Sequence, residues 1–409
     1  MSRGSRSSSG LGHRPRPMSR TRRQRLRLAL LRAFAGLTHP LVPERHSPGQ
    51  IKEGMATASR ILVVRPDHLG DILFMTPALR VLRQRYPEAH ITALVGPWGT
   101  AVLSNNPHVD EIIALPFPGF SRKAKSSLWQ PYALLGRWAQ RLRGRYDLAF
   151  ILRFDHWWGA LLAYLAGVPA RVGYALPEVA PFLSQAVPYA LGRHEVEQNL
   201  RLVLGELPGG AAPGVDWSPA QHSLEFHVPG QAVAWAKGLE GEGHPIAIHP
   251  GAGAAVKLWR AERWAAVADT LARETGTDVL LTGSEAERPG CQEIAAQMET
   301  EARVMAGETT LDQLAALLSQ CRLVLGLDSG PLHLAVSVST PTVQLYGPVD
   351  PATFGPWGPP ERHRVLISAW PCVPCNRLDY GPEELVNHPC VKEIDVPRVL
   401  AAAREVLSA

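Results

Sequence analysis

From residue 60 onward the chain alternates short apolar runs with helical stretches, and after a turn-rich break it does so again. That repeated alternation is the tightest constraint on the fold. "RILVVR" (60–65), "HITALVG" (90–96), "VDEIIALP" (109–116) and "YDLAFILRF" (146–154) read as strands. Their nearly continuous apolar character indicates a parallel sheet covered by helices, since such strands are buried on both sides. The stretch 71–85 reads as the first helix, which Pro77 should bend or weaken by removing an interior N–H. "WWGALLAYLAG" follows the fourth strand as an apolar helix. Residues 207–222, "LPGGAAPGVDWSPAQH", are rich in turn formers and read as a linker.

The pattern then restarts. "HPIAIHPGAG" (244–253), "DVLLTGS" (278–284), "RLVLGLDSG" (322–330) and "TVQLYG" (342–347) read as strands running into turns. "ERWAAVADTLARETG" (262–276), "TLDQLAALLSQC" (310–321) and "LHLAVSVS" read as helices. Two α/β halves around a linker place a cleft between the carboxyl ends of two sheets, where such folds bind ligands. The division that follows is an arm over 1–54, a first domain over 55–215 and a second over 216–409.

With 409 residues there is chain enough for two cores. The net charge of +5 belongs to the arm: ten arginines and no acidic residue precede Glu44, and without them +5 becomes −5. A mildly acidic body argues against a nucleic-acid partner, whose footprint would be basic on the folded surface. Residues 1–22 are Ser/Arg/Gly/Pro-rich and read as disordered. In "QRLRLALLRAFAGL" (24–37), Leu26, Leu30, Phe34 and Leu37 share a helical stripe beside Arg25, Arg27 and Arg32. A basic amphipathic helix suits either an anionic membrane surface or packing against the body. Met55 is an alternative start to Met1. Five cysteines, with neither a bilayer-length apolar run nor a clear secretory signal, point to a reducing cytoplasm.

Five stretches can carry chemistry. "RPDHLGDILFMTPALR" places Asp67, His68 and Asp71 in a strand-to-helix turn with one glycine, Gly70. "GLDSGPLHLA" (326–335) brings Asp328 and Ser329 to a turn before a helix opened by Pro331. The amides of Ser329, Gly330 and Leu332 can hold a phosphate there, or Asp328 or Ser329 can simply cap the helix. "HPGAGAAVKLW" (249–259) is not a Walker A loop, but Lys257 can set a point charge on a diphosphate if it is not a surface lysine. "TGSEAER" ends a strand with Glu285 and Glu287, either ribose acceptors or solvated loop acids. Arg122, Lys123 and Lys125 form a basic loop suited to an anionic acceptor, or to solvent. A further stretch holds Cys372, Cys375, His388 and Cys390, a set that can bind zinc or can be packed thiols; the two-residue step from His388 to Cys390 is short for a zinc finger.

In order and spacing, "RPDHLGDILFMTPALR", "HPGAGAAVKLWRAERW", "LTGSEAER" and "GLDSGPLHLA" resemble the ADP-heptose:lipopolysaccharide heptosyltransferases, glycosyltransferase family nine, over roughly residues 60–405. The resemblance implies an α/β GT-B architecture: two Rossmann-like domains, parallel sheets facing a central cleft, acceptor in the first and nucleotide-sugar in the second. It implies inverting, metal-independent transfer with no cofactor, from a nucleotide-diphosphate donor such as ADP-heptose to a lipopolysaccharide-core or other envelope glycan. The family's base follows the glycine of the first turn, which here is Asp71. Lys257, Ser329, Gly330 and Leu332 would meet the diphosphate, Asp328 the donor sugar and Glu287 the ribose. The implied location is cytoplasmic, with peripheral contact to the inner face of the membrane through the arm. The arm is no part of the family core. Two other readings stay open: another GT-B activity such as nucleotide-sugar epimerisation, and a non-catalytic nucleotide-sugar-binding protein. A pure binder has no need of a carboxylate on the acceptor side, so Asp71 discriminates. A Rossmann dehydrogenase is disfavoured, because no Gly-x-Gly-x-x-Gly follows the first strand.

Overall fold

The computed structural model describes residues 28–29, 31–33, 36, 55, 57–120, 129–204, 216–239, 244–386 and 388–409. Twelve strands form two six-stranded sheets. The first contains β1 (Arg60–Arg65), β2 (His90–Val95), β3 (Glu111–Ala114), β4 (Leu148–Ile151), β5 (Ala170–Tyr174) and β6 (Gln185–Val187). The second contains β7 (Ile246–His249), β8 (Val279–Leu281), β9 (Ala302–Val304), β10 (Leu323–Leu327), β11 (Thr342–Tyr346) and β12 (His363–Ile367). Their orders are β3-β2-β1-β4-β5-β6 and β12-β11-β10-β7-β8-β9. Renumbered within its own half, each runs 3-2-1-4-5-6, the doubly wound order, and the strand pairs are parallel. These are the two Rossmann-like halves of a GT-B fold.

The sequence makes these strands because both faces are wanted inside. In β1, Ile61 and Val63 join one hydrophobic cluster while Leu62 and Val64 join another, and all four have zero exposure. Period-two alternation sends neighbours to opposite faces, so a strand serving two cores must be apolar throughout. Each such side chain contributes about 1.5–3 kcal/mol on burial.

Three helices frame the site: α1 (Leu69–Arg85), α2 (Glu195–Leu204) and α3 (Gly330–Ser337). Helix α1 starts two residues earlier than the sequence pattern indicated and runs through Pro77. Proline removes the amide that would have bonded Leu73 O. Thr76 Oγ1 donates to that carbonyl instead, at 2.8 Å.

The segment after the interdomain break lies against the first half. Arg80 of α1 pairs with Glu225, and the Glu225 amide donates to Thr76 Oγ1 at 3.0 Å. The break itself is described only from residue 216 onward. Of the arm, Leu28, Ala29, Leu31–Ala33 and Gly36 are described and helical. Leu28 and Leu31 are buried, Leu31 in the cluster that holds Leu62 and Val64. Leu26, Leu30, Phe34 and Leu37, the stripe picked from sequence, lie outside the described residues. Among the described residues no helix is long and apolar enough to cross a membrane.

Candidate active site

Open parallel sheets bind ligands where the strand order reverses, outside the carboxyl ends. Here those points are the β1/β4 and β7/β10 junctions, and the candidate residues leave from them. Asp67 and Asp71 follow β1, Arg153 follows β4, the Gly251 loop follows β7, and Asp328–Gly330 follow β10. A cavity of about 380 Å³ opens instead beside Pro245, Asp278 and Glu301, which precede β7, β8 and β9. That is the amino-terminal edge, so the site is defined by its side chains.

Arg65, the last residue of β1, is the centre of the first half-site. It is 1 % exposed. Its guanidinium reaches Asp67 at 2.7 Å, Asp71 at 3.1 Å and Glu195 at 3.0 Å, and donates to Asn199 Oδ1 at 3.1 Å. Arg153 closes the other side of Asp67 and also holds Asp155 at 2.6 Å. Asp67, placed by its sequence position in the strand-to-helix turn, is therefore the bridge between two arginines. Its carboxyl stays below the usual range: burial pushes it up, but the two arginines pull it further down. His68 occupies the N-cap of α1 without a side-chain cap, and its ring lies 5.1 Å from that of Trp98.

Asp71 sits in the first turn of α1 and keeps 27 % of its side chain accessible. Four carboxylates, Asp67, Asp71, Asp155 and Glu195, share two guanidiniums, so negative charge is in excess. Asp155 is open to solvent and pairs with Arg153; of the three around Arg65, Asp71 is the most accessible and takes the consequence. Burial first, then the Asp67 charge, raise the Asp71 carboxyl to about 7, against the pull of Arg65. A carboxylate poised there can accept a proton near neutral pH.

The second half-site comes directly against this turn. A Cβ on Gly70 would lie 2.9 Å from His333 Cδ2, and one on Gly330 would lie 2.8 Å from Leu69 Cδ2. The two glycines thus let the amino ends of α1 and α3 touch across the cleft. Gly330, read from sequence as a phosphate contact, is already required by this packing. Its amide, at the first position of α3, and that of the N-cap Ser329 stand where N–H groups lack intrahelical acceptors. The Leu332 amide is different: it donates to Ser329 O at 3.2 Å, and its side chain is fully buried. Leu332 therefore drops out as an anion donor.

Lys257 is not a surface lysine. Its Nζ lies 2.5 Å from Asp328 Oδ2 and 3.3 Å from the Asp328 carbonyl, with only 13 % of the side chain accessible. Burial raises the Asp328 carboxyl despite the Lys257 charge. An ammonium has three N–H groups, so one remains to meet a ligand beside the Ser329–Gly330 turn. Asp328, expected on donor hydroxyls, has its first partner within the protein. Glu287 likewise closes a capping box, accepting from Ser284 N at 2.8 Å and Ser284 Oγ at 2.7 Å. Its other oxygen occupies the space a Cβ on Gly251 would take, so Gly251 and Glu287 line the same edge of β7 and β8.

Two groups of residues expected from sequence do not meet this site. Arg122, Lys123 and Lys125 lie outside the described residues. The zinc set does not form: among the described residues no three of Cys372, Cys375, His388 and Cys390 bring ligand atoms within 4.8 Å of one another. Cys375 Sγ contacts Tyr380 Oη at 3.6 Å, the His388 ring packs 4.2 Å from Tyr380, and Cys390 is buried while Cys372 is exposed. The residues sequence reasoning missed are Arg65, Arg153, Glu195, Asn199, His194 and His333. Glu195 and Asn199 carried a signal, two polar residues four apart that share the buried face of α2. His194 and His333 both pack edge-on to Phe74, at 5.0 and 4.6 Å, and burial drives both imidazoles down to about 3.

Comparison with known proteins gives the chain a family. The profile of glycosyltransferase family 9 (heptosyltransferase) matches residues 135–379. Lipopolysaccharide heptosyltransferase 2 of Escherichia coli K12 is 29 % identical over 330 residues, 75 % of this chain and 87 % of that protein. The enzyme of the same name from Salmonella typhimurium LT2 is 28 % identical over 371 residues, covering 85 % and 99 %. Among solved structures, the family 9 glycosyl transferase of Veillonella parvula superposes with a TM-score of 0.69 at 26 % identity, over 86 % of this chain and 97 % of that one. The E. coli ADP-heptose LPS heptosyltransferase II gives a TM-score of 0.64 at 25 % identity, over 85 % and 98 %. Matched over more than half its length and sharing the two-sheet fold, the chain belongs to glycosyltransferase family 9.

Proposed function

We propose that the enzyme transfers a heptose from ADP-heptose to a lipopolysaccharide-core acceptor with inversion, and that Asp71 is the base. The observation that carries this reading is the Asp71 carboxyl, raised to about 7, part-open and next in chain to Gly70, which abuts Gly330. The donor and acceptor classes rest on relatives named lipopolysaccharide heptosyltransferase 2 and ADP-heptose LPS heptosyltransferase II.

In one displacement the acceptor hydroxyl forms a bond to the anomeric carbon while the bond from that carbon to the diphosphate oxygen breaks. The hydroxyl proton passes to Asp71 and the electron pair leaves on ADP. A diphosphate needs no proton to depart if its growing charge is met. The free N–H of Lys257 and the Ser329 and Gly330 amides meet it, so the step needs neither a second acid nor a metal. Asp328 fixes Lys257 and leaves one oxygen for a sugar hydroxyl. Glu287 borders the β7/β8 edge, where the ribose would lie. Arg153, and the Arg122, Lys123 and Lys125 loop that follows β3, suit a phosphorylated acceptor.

An acceptor glycolipid places the reaction at the inner face of the cell membrane, and the ten arginines of the arm suit that surface. Loss of anionic-vesicle binding on deletion of residues 1–54 would support the arm's part; equal binding would remove it. The activity itself is tested by offering ADP-, UDP-, GDP- and dTDP-sugars, with and without heptose-deficient lipopolysaccharide. Release of ADP coupled to a heptose mass gain on the acceptor is expected. Tight binding of a nucleotide-sugar without transfer to any acceptor would instead favour a binding protein.

A further inference from the structure

A second group of ionisable side chains lies away from the cleft, where the interdomain segment crosses α1. Leu224 and Phe226 are buried there, at 5 % and 8 % exposure. In extended chain the intervening residues face the other way, so Glu225 and His227 share the opposite side. His108 comes to them from the loop before β3, its amide fixed by Asn106 Oδ1 at 3.0 Å. His108 Nε2 stands 3.1 Å from Glu225 Oε2, and His227 Nε2 stands 3.6 Å from the same oxygen. The three ligand atoms all lie within 4.8 Å of one another.

Ligand atoms at about 2.0–2.1 Å from a tetrahedral zinc are roughly 3.3 Å apart. The two separations straddle that value. The carboxylate is already aimed: Arg80 holds Oε1, leaving Oε2 toward the imidazoles. His227 Nε2 is shielded from solvent and has no hydrogen-bond partner among the described residues. Such a lone pair is an unmet cost in the metal-free protein and a ligand in the metal-bound one. Seventeen per cent of the His108 and Glu225 side chains and 40 % of His227 remain accessible, which gives an ion an entry path and a water a fourth position.

We propose that His108, Glu225 and His227 form a binding site for a divalent transition metal of the zinc class, which clasps the crossing segment onto the first domain. The site is separate from the transfer chemistry: Arg80 lies nine residues beyond Asp71 on α1, about 13 Å along the axis. It rests on geometry alone and is independent of the donor and acceptor assignments.

The test uses full-length protein stripped with EDTA and titrated with ZnCl₂ by calorimetry. One Zn²⁺ per chain is expected, with a rise in Tm that MgCl₂ does not reproduce, since magnesium prefers oxygen ligands. His108→Ala and His227→Ala should each weaken zinc binding by at least about 100-fold while leaving the metal-free circular dichroism unchanged. Cys372→Ser/Cys375→Ser should bind as wild type, and bound Co²⁺ should show tetrahedral absorption without a thiolate band. Amide exchange across residues 221–229 should slow with zinc. No binding by the wild type, equal binding by the His108→Ala/His227→Ala double variant, or loss of binding only in the cysteine variant would each overturn the site. Exchange unchanged by bound zinc would overturn the clasp.

Discussion

Replacing Arg65 with methionine tests whether the buried arginine sets the proton affinity of the base. Methionine keeps much of the length and removes the charge, so Asp67, Asp71 and Glu195 lose the cation they share. At 3.1 Å, two unit charges at an effective dielectric near 20 interact by about 5 kcal/mol. At 1.36 kcal/mol per unit, that corresponds to an upward shift of at most about 4 units. The open edge of Asp71 admits water and will reduce this, so a shift of at least about 1 unit above 7 is expected. The sign follows from Arg65 favouring the ionised form: without it the carboxyl holds its proton to higher pH. The assay is kcat/KM against pH, in which the rising limb should move to alkaline pH. Stability should fall by about 3–5 kcal/mol in urea unfolding, because breaking a buried pair leaves uncompensated charge. Arg65→Lys, which restores one charge but not the fork, should return part of the limb's position. A limb that stays near 7 in a folded Arg65→Met variant would refute the reasoning.

Lys257→Met leaves Asp328 buried without its partner and removes charge from the leaving group. We expect about 3 kcal/mol less stability and a fall in kcat on the order of 10²–10³, larger than any rise in donor KM. Steady-state kinetics with urea unfolding check it; normal turnover would return Lys257 to a structural role. Stability should also fall steeply below pH 6. His156, His194 and His333 are buried with folded values of about 3, below the unfolded value of 6.5, so the unfolded state binds more protons between those limits. Asp71, raised to about 7, works the other way between pH 4 and 7 and removes one proton from the balance. His363, held down to about 4, adds to the histidines while the raised Glu195 and Asp328 carboxyls offset them, so the loss is on the order of 1–3 kcal/mol per pH unit. Urea unfolding at pH 7, 6 and 5 reads this, and a flat profile would contradict it.

The fold was legible where a strand feeds two cores. β1, β2, β4, β7 and β10 are apolar on both faces; β1 has the bounds read from sequence, β2, β4 and β10 end within three residues of theirs, and β7 stops four residues before the end of its strand-to-turn stretch. β6 and β9 have three residues each and partly exposed patterns, too short for any periodicity to show. β12 is an edge strand, half wet on both faces, so its sequence does not declare it. The site was legible where local chemistry is contiguous, as in "RPDHLGD" and "GLDSGPLHLA". It was not legible where partners are far apart in the chain. Arg65 meets Glu195 and Asn199 across more than 120 residues, and Lys257 meets Asp328 across 71. Gly70 reads as a turn residue, and only the contact with α3 shows why a side chain cannot stand there.

The claim on which the rest depends is that Asp71 removes the acceptor proton. Asp71→Asn keeps the size and leaves Arg65 in place. With ADP-heptose and a heptose-deficient lipopolysaccharide acceptor, the wild type should show kcat rising through about pH 7 to a plateau. The asparagine variant should bind the donor with unchanged affinity, lose roughly 10²–10⁴-fold in kcat, and lose the limb near 7. A variant that turns over at a near-normal rate, or that keeps the same limb, would contradict the assignment of Asp71 as the base.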